Sequence, residues 1–270
     1  MILSYDERDG FNNQLVALRF ACAIANITNR KLVLPFQFHN HAEGIVKNAY
    51  RLRVCDVVQC DSLLCMTIAV AAPASPVKLC RSLSCVESAR SWKTVHLPNK
   101  AAFRMGLAAH SSLAKRIRNV PDIPISNSIV QAASRFETNE FSVIHIRQFS
   151  SIDYPLGGRQ SEPPPTMNLT RRVQSVVRSV RSSRCNLKLK RLYVMTQDCH
   201  LPPPITPLAT CIHANYSHSD MNCLFSQLVA TRAKCFWGEG MSTVSQFVMR
   251  KRFPKDRSIR CNAVWCWFVH

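Results

Sequence analysis

No C-x-x-C pair occurs in this 270-residue sequence, although it contains 13 cysteines. Such pairs build zinc ribbons and thioredoxin-type sites, so both are disfavoured. There is no G-x-S-x-G nucleophile elbow and no H-E-x-x-H helix, which removes two hydrolase signatures. There is no D-x-D, a carboxylate pair that can hold a divalent metal on a sugar nucleotide. "MILSYDERDG" lacks the basic head and long apolar run of a signal peptide. "MTIAVAAPASPV" is too short, and too interrupted by proline, to span a membrane. Acidic residues are scarce: 16 Asp and Glu face 35 Lys and Arg, a net +19. That excess favours an anionic partner, such as a nucleotide, nucleic acid, sulfated glycan or membrane surface. It could also serve solubility alone.

What is present argues for an ordered protein with a large core. Hydrophobic residues make up 47% of the chain, far from a disordered composition. Cys55, Cys60 and Cys65, then Cys80 and Cys85, fall in a stretch without long periodic runs. Cys261 and Cys266 sit near the C-terminus. Disulfides formed in a secretory compartment fit this usage. Cys22, Cys223 and Cys235 lie in apolar segments and read equally well as buried thiols. The odd total leaves at least one cysteine free or bridged to another molecule. Asn26-Ile27-Thr28, Asn168-Leu169-Thr170 and Asn215-Tyr216-Ser217 are glycosylation acceptor patterns. Without a leader the chain is expected either in the cytosol or downstream of a targeting segment; the cysteines favour the second and a lumenal site.

Along the chain, residues 2–5 read as a strand, about 12–28 as a helix and 31–34 as a strand. This is a β-loop-α-β unit of a doubly wound sheet. The helix is apolar nearly all round, with Arg19 its only charge, so both flanks are expected to be buried. Residues 36–92 resist assignment. "TVHLP" predicts a strand, followed by helices near 107–118 and 125–137, the second with Ile125, Ile129 and Ala132 on one face. "FSVIHIR" begins a second series as a buried parallel strand. An arginine-laced helix over 168–184 and the strands "RLYVMTQD", "PLATCIHA" and "KCFWG" follow, with helices "DMNCLFSQLVATRA" and "STVSQFVMRKRF". In the first of these last two, Met221, Leu224, Phe225 and Leu228 face inward. The expectation is α/β, with two Rossmann-type domains of parallel sheets flanked by helices, residues 1–138 and 139–270.

Ligands of parallel sheets bind where strand C-termini lead into helices. Four such loops carry suitable residues. In "DGFNNQ", Gly10 permits a tight turn, Asn12 or Asn13 can cap the helix, and free N–H groups suit an anion. In "HIRQFSS", His145 and Arg147 share one face; the arginine fork suits a diphosphate, while His145 reads as a buried residue that orients its neighbours. In "VMTQD", Asp198 can read a base or ribose hydroxyl, or cap a turn. In "FWGEGMSTVSQF", Ser242, Thr243 and Ser245 open a helix whose N–H groups suit phosphate. No Gly-Lys-Ser/Thr makes this a P-loop.

Taken in order, these stretches resemble the protein O-fucosyltransferase family. "GFNNQLVALRFACAIANITNRKLVLP" is similar to its G-x-x-N-Q start and "NR-x-LVLP" strand, "HIR" to its H-L-R and "YVMTQD" to its strand ending in T-D. "LFSQLVATRAKCFWGEGMSTVSQFVMRKR" is similar to its closing D-Q-x-x-x-x-R-A helix, strand and S-S/T-F-S helix start. The likeness covers roughly 1–35 and 141–252. It implies a GT-B architecture, with an acceptor-side first domain and a nucleotide-sugar-binding second domain. It also implies inverting transfer of fucose from GDP-fucose to a Ser or Thr of a protein, or to a glycan hydroxyl, with no cofactor and no required metal.

Matched by position, the resemblance makes Asn13 the active-site asparagine and Asp9 the counterpart of a glutamate base. Arg147 would contact the diphosphate and glycosidic oxygen, and Asp198 the nucleoside. Ser242 and Thr243, with Val244 beside them, would bind phosphate; Gly10, Phe11, Asn12 and His145 would complete the pocket. The chain departs from the pattern at Val244, where phenylalanine is usual, and at Ser226, where the family has aspartate. The first carboxylate after "HIR" is as late as Asp153. A nucleotide-binding relative without activity therefore stays open, as does a basic polyanion-binding module. Against the latter, no aromatics interleave with the arginine run, which disfavours single-strand nucleic acid.

Overall fold

The computed structural model describes residues 1–6, 10–38, 52–65, 67–69, 76–98, 101–107, 116, 120–136, 140–146, 191–196, 210–239, 242–252 and 265–269. The chain divides into two compact units, Met1–Ile129 and Val130–His270.

The first unit is built on β1 (Ile2–Tyr5), α1 (Phe11–Ile27), β2 (Lys31–Leu34), β3 (Thr67–Ala69), β4 (Val77–Leu79) and β5 (Thr94–Leu97). Its sheet runs β3-β2-β1-β5-β4 and every pairing is parallel. Leu3, Leu32 and Val95 lie side by side in register, each fully buried. The short helices α2 (Val54–Val57) and α3 (Leu83–Ser88) also occupy the stretch that resisted sequence assignment. Beyond β5 comes α4 (Ala101–Leu107), earlier than the helix expected near 107–118, most of which lies outside the described residues. The next helix, α5 (Asn127–Ser134), is shorter than expected. Ile125 is not on it but bridges antiparallel to Val58.

α1 is the core element that its sequence implies. It packs on β1, β2 and α4, and Leu18, Ala21 and Ala25 have no exposed surface. Its end is a Schellman turn: Asn29 N–H donates to Asn26 O at 3.2 Å and Arg30 N–H to Ala25 O at 2.8 Å. Asn29 sits at φ 53°, a left-handed position that asparagine tolerates better than most residues. Arg30 then turns inward. Only 2% exposed, its guanidinium donates to Trp92 O (2.8 Å) and to Ala89 O (2.7 Å) at the end of α3. Burial pushes its pKa below the usual arginine value.

The second unit contains β6 (Ser142–His145), β7 (Leu192–Met195), β8 (Thr210–Cys211), α6 (Ser219–Arg232), β9 (Cys235–Glu239), α7 (Thr243–Arg252) and β10 (Trp265–Val269). The order is β10-β9-β6-β7-β8. The expected parallel sheet is present but gains an antiparallel edge, since β10 runs against β9. An antiparallel edge strand on a parallel sheet is common. On α6 the fully buried positions are Leu224, Gln227, Val229 and Ala230, with Ser226 and Phe225 close behind. Phe225 meets Phe136 and Tyr216 edge to face. The arginine-laced helix over 168–184 lies outside the described residues.

Arginine serves inside both units as a clamp on backbone oxygen. Arg232 donates to Ala133 O (2.7 Å) at the end of α5. Arg252 donates to Ala230 O, Ala233 O and Lys234 O around the end of α6; burial pushes its pKa down to about 10. Arg19 holds Val120 O and Pro121 O beside Asp122. Helix C-termini leave carbonyls without intrahelical partners, and cations there are favourable. Part of the basic excess is thus committed to internal structure.

The cysteines are committed too. Cys22 bonds Cys65, Cys55 bonds Cys60 and Cys80 bonds Cys85; Cys211 and Cys235 are also disulfide-bonded. The buried-thiol reading therefore fails for Cys22 and Cys235. An apolar helix face hides a cystine as readily as a thiol, so periodicity cannot separate the two. Among the described residues no helix is long and apolar enough to cross a membrane.

Candidate functional site

In the first unit β1 ends next to Asp6, and Gly10 is the N-cap of α1. Gly10 is extended, at φ −60° and ψ 154°, and no side chain caps the helix. Two expectations are corrected here. Gly10 uses no conformation that other residues avoid, and Asn12 and Asn13 do not cap, because both already lie within the first turn. The space next to Gly10 is open: a Cβ there would meet nothing within 4 Å. Phe11 is buried edge-on against Phe38, with ring centroids 5.1 Å apart. Asn12 is buried. Asn13 Oδ1 is buried and has no hydrogen-bond partner. An unsatisfied buried acceptor costs about 1–3 kcal/mol. Asp9 lies outside the described residues.

In the second unit His145 ends the central strand β6, 5% exposed. Its Nδ1 shares a buried 2.7 Å hydrogen bond with Ser245 Oγ on the first turn of α7. Ser242, directly before that helix, is also buried, and its carbonyl accepts from Gln246 N–H at 2.9 Å. Thr243 and Val244 follow, each half-buried. A Cβ on Gly238 would fall 2.5 Å from Ser245 Oγ and 2.7 Å from Phe236 Cε1. Glycine is what lets the head of α7 close on β9 and meet His145. One strand over, Ile146 N–H donates to Met195 O, which places Thr196 beside the end of β6. Thr196 Oγ1 is buried without a partner. Ser142 Oγ and Gln227 Oε1 share that status, and nothing in the structure explains them. Arg147 and Asp198 lie outside the described residues.

Among the described candidates, Gly10, Phe11, Asn12 and Asn13 thus lie at the head of α1 in the first unit, and His145, Ser242, Thr243 and Val244 around the head of α7 in the second. Sequence reading left out Thr196, Ser245 as the partner of His145, and Gly238 as its enabling contact. The threonine stood in "VMTQD", but only a pairing register places it beside β6. Among the described residues, no three His, Cys, Asp or Glu side chains converge as metal ligands. Gly238→Ala is expected to push α7 off β9 and destabilise the chain by about 2 kcal/mol. Urea denaturation would measure this; an unchanged midpoint would refute the contact's importance.

Against solved structures, the chain matches POFUT1 in complex with GDP at a TM-score of 0.61 and 14% identity, over 95% of each chain. It matches POFUT1 with GDP-fucose at 0.57 and 13%, again over 95% of each. The fold is that of the fucosyltransferases. NodZ fucosyltransferase from Bradyrhizobium superposes at 0.52 and 12% identity, over 92% of this chain and 91% of its own. Two helix-flanked Rossmann-type sheets are the GT-B-like arrangement that these structures share. No family model matches the sequence, and no curated protein does.

Proposed function

We propose that this protein is an inverting glycosyltransferase that moves fucose from GDP-fucose to a hydroxyl of a protein or glycan, without a required metal. The observation that carries the reading is the near end-to-end likeness to a structure holding GDP-fucose, over 95% of both chains. The polar residues gathered at the strand ends support it. When fucose leaves, negative charge grows on the β-phosphate and positive character on the sugar ring. Arg147 and the N-terminus of α7, with Ser242 and Thr243, stabilise that phosphate charge; Asp198 binds the nucleoside. His145, locked by Ser245, fixes the geometry at the end of β6. Asn13 orients the reacting hydroxyl with its buried carbonyl oxygen. Asp9, or a water held by Asn13, takes the proton. Attack from the face opposite GDP inverts the anomeric carbon. The disulfides support a secretory lumen as the place of work.

A donor-binding enzyme is stabilised by its product. GDP at one hundred times its Kd is expected to add about 2.7 kcal/mol, read as a rise in Tm. Radiolabelled transfer from a panel of GDP- and UDP-sugars then identifies the donor. GDP stabilisation without turnover would mark an inactive relative. A polyanion module would ignore GDP and bind heparin with a steep salt slope; the arginines already committed to backbone carbonyls argue against it.

A further inference from the structure

A second polar group stands on the first unit's sheet, unused by the reading above. Ser4 of β1 and His96 of β5 are register partners, and Ser4 Oγ lies 3.0 Å from His96 Nδ1. His96 Nε2 lies 3.2 Å from Asp6 Oδ1, with the two side chains 24% and 32% exposed. Asp6 N–H donates to Leu97 O at 3.0 Å, which holds the residue at the very end of β1. Alternation puts Ser4, Asp6 and His96 on the face opposite the buried Leu3, Tyr5, Val95 and Leu97. Three features separate this trio from ordinary core packing. It is partly open to solvent. It occupies the strand C-termini, where ligands of parallel sheets bind. Asp6 also begins the connection that leads to Asn13: four residues bring Asp6 to Gly10, a span of at most about 14 Å.

We infer that the Asp6 carboxylate, oriented by His96 and Ser4, accepts the proton of the attacking hydroxyl. The inference rests on the transferase reading. That reaction needs a proton acceptor; the amide of Asn13 cannot be one, and Asp6 takes the role that the reading above gave to Asp9 or to a water held by Asn13. As the bond from the anomeric carbon to the acceptor oxygen forms, its bond to the phosphate oxygen breaks and that electron pair leaves with GDP. The acceptor O–H bond breaks, and its proton passes to Asp6 and then to water. His96 is a positioning residue: Ser4 Oγ–H donates to Nδ1, which leaves the Nε2–H to hold Asp6.

The test uses the full chain with GDP-fucose and water as the acceptor, followed as GDP release. Asp6→Asn keeps the shape of the hydrogen bonds and removes the base. Its kcat is expected to fall by about 100-fold, with KM and the Tm rise on adding GDP as in the wild type. His96→Gln is expected to lose a smaller factor. Asp6→Ala is expected to recover turnover in proportion to added formate, since a small carboxylate can take the proton but cannot repair a scaffold. Wild-type kcat in Asp6→Asn would overturn the inference. So would loss of the GDP response together with kcat, or no formate rescue. If the wild type itself neither responds to GDP nor turns over, the transferase reading fails instead.

Discussion

Arg147→Ala is expected to lower fucose transfer by about 10²- to 10³-fold while the chain remains folded. The argument starts from charge. On the proposed reading, departure of fucose concentrates negative charge on the β-phosphate, and a site that requires no metal must meet it with fixed positive groups. The N-terminus of α7 supplies partial charge from its first-turn N–H groups. A guanidinium supplies a full charge with two parallel donors in a fixed fork. Its chain position follows from β6: His145 ends the strand, buried and bonded to Ser245, and Arg147 lies two residues on. Because the donors act on charge that develops in the transition state, kcat should fall more than KM rises. Arg147→Lys should fall between wild type and alanine, because a point charge replaces the fork. Circular dichroism and steady-state transfer on the three proteins decide the matter. Retained activity in the alanine variant would remove Arg147 from the mechanism.

Replacing Cys22 and Cys65 together by alanine is expected to destabilise the protein by about 4 kcal/mol, on the chain-entropy account of a long closed loop. Their separation of 43 residues constrains the unfolded chain more than the separations of 5 at Cys55–Cys60 and Cys80–Cys85 do. Each short link is worth about 2 kcal/mol on the same account. Position adds to the effect. Cys22 lies well inside the buried helix α1, and Cys65 lies shortly before β3, so the bond ties the core helix to an edge strand. Against a typical stability of about 5–15 kcal/mol, the loss leaves little margin. Urea midpoints of the double variant and of each short-loop double variant give the ranking directly. Equal midpoints for all three would show that α1 is held by packing alone. A large loss on treating the wild type with reductant would agree with the lumenal compartment.

The strands and long helices were legible because periodicity records burial, whichever partner does the burying. α1, β6 and α7 are examples, and the heads of α1 and α7 were legible as places where a polar loop leads into a helix. The stretch 36–92 was not legible. Its strands β3 and β4 are each three residues long, too short for alternation to register, and disulfides replace part of the apolar pattern. β10 was missed because an edge strand that enters antiparallel needs no crossover helix to announce it. At the site, "GFNNQ" showed which residues gather at the helix head but not what they do there. Capping was expected, whereas Asn13 keeps its buried oxygen unpaired.

By itself, the order of residues determined the alternation of strands and helices, the placing of polar loops at strand ends and the need for many cysteines to be accounted for. These follow from local rules of burial and backbone geometry. Only the tertiary structure decided which cysteines bond and that arginines clamp helix ends. It alone brought Ser245 to His145 across Gly238, and Asp6 and Ser4 to His96. Each of these joins residues distant in the chain, and a contact of that kind depends on strand register and close approach in space.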